Sequence, residues 1–329
     1  MKKVLFATTA LVFSAGFAAA EVSISGYGRF GASYDSSKSG DDSKSWIEQR
    51  LRFNIDALTT TDGGVEFGGR LRLQYDNRDT AAGRTTNTAP ALFYVSYGGL
   101  RVEVGNVNTA IDSDPLIYNS EIGITERSFG DPRSNFWTYN SGSYGTDNRS
   151  GIYAKYSIAG FTAQASYIDP DQVSDAHPGA DLRSEQSVAF SYETGPLTVS
   201  TAATWNGAGK KSNTVWYAGA AYQFVEEFTA GLNYIDEGYD GTRNGADYSD
   251  LGKTITLYGT YTIDAVSLTG YIANNDADDN KSDTVYGLGA AYDLGGGTKL
   301  LGSIERGYGS KSSDTSEETI AQLGVKFNF

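Results

Sequence analysis

The chain has no cysteine, one methionine, one histidine and six prolines in 329 residues. Without cysteine, neither a disulfide framework nor a thiolate metal site can form. A single histidine excludes multi-histidine metal centres. His177 precedes Pro178 in a polar stretch and reads as a solvated loop residue. Hydrolytic chemistry would need a histidine base beside a nucleophile or an acid, so no enzyme is expected here. Positive charge is also scarce, with 26 Lys and Arg against 40 Asp and Glu and a formal charge of −14. Nucleic-acid binding, which rests on a basic patch, has no electrostatic basis. Beyond residue 20 no apolar run is long enough for a spanning helix.

What is plentiful is glycine (40) and tyrosine (23), with 39% hydrophobic residues. That mixture fits neither disorder nor a helical bundle. No linker or shift of composition divides the chain. Met1-Lys2-Lys3, an apolar stretch over 4–17 and Ala18-Ala19-Ala20 before Glu21 form a secretory signal peptide over 1–20. Without Lys2 and Lys3 the charge of −14 becomes −16. One all-β domain over 21–329 is expected, beyond the inner membrane of a bacterium.

Alternation supports that reading. Leu51, Phe53 and Ile55 alternate with Arg50, Arg52, Asn54 and Asp56. Val65, Phe67, Leu71, Leu73 and Tyr75 alternate with Glu66, Arg70, Arg72, Gln74 and Asp76. This is a sustained period of two with charge confined to one face. A soluble sandwich buries its apolar faces in a shared core, whereas a membrane barrel turns them to lipid and keeps charge in a watery bore. The pattern places strands near 22–34, 46–58, 64–77, 90–97, 100–106, 149–158, 161–169 and 185–194. Eight more fall near 197–206, 215–224, 228–237, 253–262, 265–274, 284–294, 298–307 and 318–329. Connections alternate between short turns such as Gly98-Gly99 and Ala159-Gly160, and long polar loops such as 238–252. A sixteen-stranded antiparallel transmembrane β-barrel, with both termini on the short-turn side, is the predicted architecture. Aromatics gather at both strand ends as two girdles, among them Tyr34, Trp205 and Trp216 toward the long loops and Tyr97, Tyr222 and Tyr292 toward the short turns.

Other motifs dissolve in this context. Gly26-Tyr-Gly28-Arg-Phe-Gly31 spells G-x-G-x-x-G, but alternation runs through it and no helix follows, so it is no dinucleotide site. Gly207-Ala-Gly-Lys-Lys-Ser212 lacks P-loop spacing. Asp276, Asp278 and Asn280 have partial calcium-loop spacing without the glycine or the closing glutamate, consistent only with loose divalent binding by acidic loops. No cofactor is expected. An adhesin or structural barrel would need a filled bore, and sixteen strands leave an aqueous channel.

The exception to the alternation is 105–140, too long for an ordinary connection in a compact domain. It carries Asp112, Asp114, Glu121, Glu126 and Asp131, partly offset by Arg127 and Arg133. Arg29, Arg50, Arg52, Arg70, Arg72 and Arg101 fall on the inward face of the first five strands. Neighbouring strands lie about 4.8 Å apart, so these side chains form one patch. The expectation is an inward-folded third loop whose carboxylates face the arginines across a constriction. With the walls balanced, the acidity of the chain would tilt permeation weakly toward cations.

Several pieces resemble the bacterial general (non-specific) outer-membrane porins, most closely the Rhodobacter type. They are Glu21-Val-Ser-Ile-Ser-Gly-Tyr-Gly-Arg-Phe-Gly31, Arg50-Leu-Arg-Phe-Asn-Ile55, Gly105-Asn106-Val107, Tyr167-Ile-Asp-Pro-Asp-Gln172 and the final Phe329. Of the Pro-Glu-Phe-Gly-Gly-Asp signature in enteric third loops, the chain keeps Phe129-Gly130 with Asp131. The resemblance covers 21–329. It implies a homotrimer in the outer membrane among lipid and lipopolysaccharide, passive diffusion of ions and small hydrophilic solutes, and Phe329 as a signal to the barrel-assembly machinery. The alternative is a substrate-selective channel for sugars or organic anions.

Overall fold

The structure is a computed structural model, and it describes residues 21–38, 43–77, 86–139, 149–172, 182–241 and 248–329. The predicted signal peptide and His177 lie outside the described residues. Sixteen antiparallel strands close on themselves. The first eight are β1 (Glu21–Asp35), β2 (Ser45–Thr60), β3 (Glu66–Asp76), β4 (Thr86–Thr88 and Leu92–Tyr97), β5 (Leu100–Gly105), β6 (Ser150–Ile158), β7 (Phe161–Asp169) and β8 (Glu185–Thr194). The second eight are β9 (Leu197–Trp205), β10 (Thr214–Val225), β11 (Phe228–Asp236), β12 (Lys253–Ile263), β13 (Val266–Asn275), β14 (Thr284–Gly295), β15 (Thr298–Arg306) and β16 (Thr319–Asn328). Each pairs with its chain neighbours, and β16 returns to β1 with Phe30 opposite Val325. Closure removes the unpaired edge that an open sheet would expose to lipid.

The predicted alternation is realised as two surfaces. Ile24, Phe67, Phe93, Phe190, Leu232, Leu288 and Leu323 are all about half exposed or more, so apolar side chains face outward around the whole circumference. Their sequence neighbours point inward and are polar or buried. The short turns show why they are short. Gly98 and Gly99 take φ of 55° and 85°, and Ala159 and Gly160 take 49° and 84°. Positive φ at both central residues matches the twist of a two-residue hairpin.

One boundary differs from expectation. The fourth strand was predicted over 90–97, but pairing resumes only at Leu92, after a first piece at 86–88. Pro90 has no N–H to donate to the ladder, so the strand is interrupted around it. A short hairpin, Tyr239–Gly241 with Tyr248–Asp250, adds to the loop between β11 and β12 and was not anticipated.

A candidate constriction between the third loop and a basic wall

The segment from Asn106 to Tyr139 is held against the inner wall along its length. Backbone N–H groups of Ala110 and Ile111 donate to Ser166 and Ser187 at 2.9 Å each. Asn233 donates to the Leu116 carbonyl at 2.9 Å, and Thr256 to that of Gly130 at 3.0 Å. Ala110, Ile111, Leu116 and Ile117 pack with Ala189, Ala202, Val215, Tyr217 and Ile235. The tip carries two isoleucines that fill recesses left by glycines. Ile122 lies over Gly287 and Gly289 of β14, and Ile124 lies over the cross-strand pair Gly31 and Gly324 of β1 and β16. A Cβ on any of the four would meet an isoleucine atom at 2.8 to 3.1 Å. The return limb follows the wall back. Arg127 pairs with Glu305 at 2.6 Å, the Glu237 carboxylate accepts the N–H groups of Arg133 and Ser134, and Glu185 accepts that of Trp137.

What the loop leaves uncovered is the wall of β1–β6. A cavity of about 440 Å³ lies there, lined by Arg52, Arg70, Arg72, Arg101 and Lys155, with Glu103, Asp112 and Tyr139 among the other lining residues. The expectation from sequence is that the loop supplies the counter-charges of the arginines, but it is not their main source. Most take them from their own wall. Arg50 Nε lies 2.6 Å from Asp76 and its Nη1 donates to Tyr27 at 3.1 Å. Arg70 pairs with Asp56 at 2.6 Å and Arg101 with Glu103 at 2.5 Å. Arg52 and Arg72 donate to the neutral amides of Gln74 and Asn54. The physical reason is register: Asp56 and Asp76 stand directly opposite Arg70 and Arg50 across the β2–β3 ladder. Cross-strand neighbours on one face are the nearest partners a sheet provides. Arg29 departs further, being 2% exposed and held 3.2 Å from the buried Glu48, so it does not border the open passage.

The five loop acids separate. Asp112 lines the cavity with the arginines and accepts a hydrogen bond from Tyr118 at 2.9 Å. Glu126, at the tip with φ of 52°, pairs with Lys326. Lys326 lies 4.9 Å over the ring of Tyr27, which Arg52 also approaches at 5.1 Å. These two acids border the basic wall. Asp114 does not: it turns to β9 and accepts from Ser200 at 2.7 Å and from the Leu116 N–H. Asp131 is held by Ser120 at 3.0 Å within the loop. Glu121 lines a second cavity of about 240 Å³, with Glu126, Lys299 and Lys326. Burial pushes Asp112 and Asp114 up to about 6 and Asp131 up to about 8. Glu121 is pushed to about 9, by burial first and then by Asp131 and Glu126, with Lys326 opposing.

Lys155, Lys299 and Lys326 were missed in the sequence. Lys155 stands opposite Arg101, and Lys326 stands opposite both Lys299 and Arg29. Their inward parity was readable from the alternation, but their place beside the arginines depends on closure of the barrel. Of the acidic-loop residues considered for divalent binding, Asp276 accepts the Lys253 N–H at 2.6 Å and Asn280 donates its amide to the Asn275 carbonyl at 2.9 Å.

A closed barrel with lipid-compatible outer faces and a polar, charge-lined bore defines an outer-membrane channel protein. The comparisons agree. A family model described as Gram-negative porin matches residues 7–312. The chain belongs to that family. It is 39% identical to a porin of Fuscovulum blasticum over 312 residues, covering 94% of this chain and 100% of the relative. It is 28% identical to a porin of Rhodobacter capsulatus, with the same coverage. Solved structures of engineered variants of the Rhodopseudomonas blastica porin match with a TM-score of 0.83 at 37% identity, covering 94% of this chain and all of theirs.

Proposed function

We propose that the chain is a general diffusion porin whose narrowest section lies between the third loop and the basic wall of β1–β6. Ions and small hydrophilic solutes cross it passively. Asp112 and Glu126 form the acidic border, and Arg50, Arg52, Arg70, Arg72 and Arg101 with Lys155 and Lys326 form the basic one. The observation that carries this reading is the anchoring of the loop against the inner wall from β7 round to β16, which leaves the arginine side uncovered. A field between opposed charges orders the crossing water, which disfavours apolar solutes and passes small polar ones. Residues 1–20 act as the secretory signal, and Phe329 directs assembly in the outer membrane. The working form is a homotrimer among lipid and lipopolysaccharide; on the outward face of β1 the rings of Phe329 and Phe327 cover Gly26 and Gly28, which leaves Ala32 as the open small residue there. Liposome swelling with sugars of graded size tests the permeation claim. A graded cutoff supports it, and equal exclusion of the smallest sugars would refute it.

A further inference from the structure

A third cavity, of about 460 Å³, opens on the long-loop side, where the return limb of the third loop meets the loop between β15 and β16. Its volume falls within the roughly 300–1,000 Å³ of small-molecule sites. Phe129 and Tyr308 give it aromatic surface, edge to face with ring centroids 6.2 Å apart, and the Tyr308 hydroxyl donates to the Phe129 carbonyl at 3.0 Å. The polar groups around the rings are fixed in place. Arg133 Nη1 donates to Asn275 and Asn280, and the guanidinium lies 4.8 Å over the Tyr308 ring. Asp131 accepts from Ser120 at 3.0 Å, and Glu318 accepts from Ser37. Ser310, Thr315 and Ser316 add hydroxyls from the β15–β16 loop. This lining disfavours ions of either sign. Arg127 lies 4.8 Å over the Phe129 ring, so a cation would meet a guanidinium at both aromatic groups. Glu318 opposes an anion. Asp131, which burial pushes up to about 8, keeps its proton at neutral pH, so Glu318 and Arg133 leave the lining balanced. What fits is a ligand of no net charge with an apolar face and several hydroxyls, each able to donate and to accept.

We propose that this cavity is a binding subsite for neutral pyranose sugars. The C–H face of the sugar packs on the Phe129 surface that lines the cavity, drawn to the negative face of the aromatic ring. Its hydroxyls pair with Arg133, Asp131 and Glu318, which the protein already holds in position, so little ordering is left for binding to bear. The site gives a sugar a place to dwell on the long-loop side before it crosses. The inference goes beyond free diffusion and rests on the channel reading above, since the subsite lies on the approach to the proposed passage.

The test is single-channel recording in planar bilayers with added glucose, and with glycerol as a polyol that lacks a ring face. Glucose is expected to lower the current saturably in the millimolar range, beyond the fall in bulk conductivity, and glycerol only in step with that fall. The glucose effect should persist at about 1 M KCl, where the Debye length is about 3 Å, because an uncharged ligand is not screened. Phe129→Leu, which keeps apolar volume and removes the ring, and Glu318→Ala should each weaken the apparent affinity about tenfold. Asp264→Asn, in the short turn between β12 and β13, should leave it unchanged. Weakening in either cavity variant supports the subsite, so the loss of one variant to misassembly leaves the other to decide. Glucose acting no differently from glycerol on a conducting channel would overturn the subsite and leave the channel reading intact. Saturation that vanishes at 1 M KCl, or survives both cavity variants unchanged, would overturn it too. Failure to conduct KCl at all would refute the channel reading instead. Saturation-transfer difference NMR of glucose, with the protein in a sugar-free detergent, then reads the subsite directly. Transfer that falls in Glu318→Ala supports it, and absent or unaltered transfer overturns it.

Discussion

Truncating the two tip isoleucines, Ile122→Ala with Ile124→Ala, should release the third loop and leave the barrel standing. Ile124 is fully buried and Ile122 is 4% exposed, each seated over glycines of the wall. Full burial of such a side chain is worth about 1.5–3 kcal/mol, so the pair contributes roughly 3–6 kcal/mol to docking of the tip. At about 1.4 kcal/mol per tenfold, the ratio of docked to undocked tip falls by about 10²–10⁴. Hydrogen bonds from Thr125 to the buried Gln322 remain, as does the Glu126–Lys326 pair, whose exposure to water weakens it. The barrel keeps all its strand pairing, because neither isoleucine belongs to a strand. Single-channel recordings should therefore show higher mean conductance and strong current noise, with an unchanged thermal transition by circular dichroism in detergent. Ile124→Val, which removes one methylene, should have a small effect of the kind costing about 0.5–1.5 kcal/mol. Quiet channels of unaltered conductance in the double variant would refute the claim that these contacts hold the loop in the bore.

Loop docking should weaken as pH rises. Burial holds Asp112 near 6 and Asp131 near 8, above their ordinary 3.8, so their contribution is complete below about pH 4 and is lost as pH climbs through those values. Current noise measured from pH 4 to pH 9 should grow accordingly, and a flat profile contradicts this. Glu48→Ala strips Arg29 of its buried carboxylate, and removing one partner of such a pair costs about 3–5 kcal/mol. A lowered transition temperature is the expected readout. Phe329 packs on Phe53 with ring centroids 5.2 Å apart and exchanges backbone hydrogen bonds with Gly26. Replacing it with aspartate should cut outer-membrane assembly while leaving secretion intact, as read by fractionation. The protein should purify as a trimer whose gel mobility changes on boiling, and a monomer by light scattering in mild detergent would count against that.

Much of the fold was legible because a two-residue period reports on a strand whose faces meet lipid and water. The strands over 161–169 and 185–194 were located to the residue, and most others to within one or two. The failure at 90–97 has a local cause in Pro90. The site was less legible for a different reason. Parity identified the inward arginines, but their partners follow from register, which places Asp76 opposite Arg50 and Asp56 opposite Arg70. Both acids stand in the same alternating runs, where parity assigns each to a face and does not say which arginine it meets. The loop offered no period at all. That Asp114 turns to Ser200 while Asp112, two residues earlier, lines the cavity depends on tertiary contacts alone.

The opposition of Asp112 and Glu126 to the basic wall is tested most directly by reversal potentials in a KCl gradient at low salt, where the Debye length is about 10 Å at 0.1 M. Asp112→Asn with Glu126→Gln should shift the reversal potential toward anions, and Arg52→Gln with Arg72→Gln should shift it toward cations. Both shifts should shrink at 1 M, where the Debye length is about 3 Å. Unchanged selectivity in both double variants at low salt, with normal conductance, would mean that ions do not cross between the third loop and this wall.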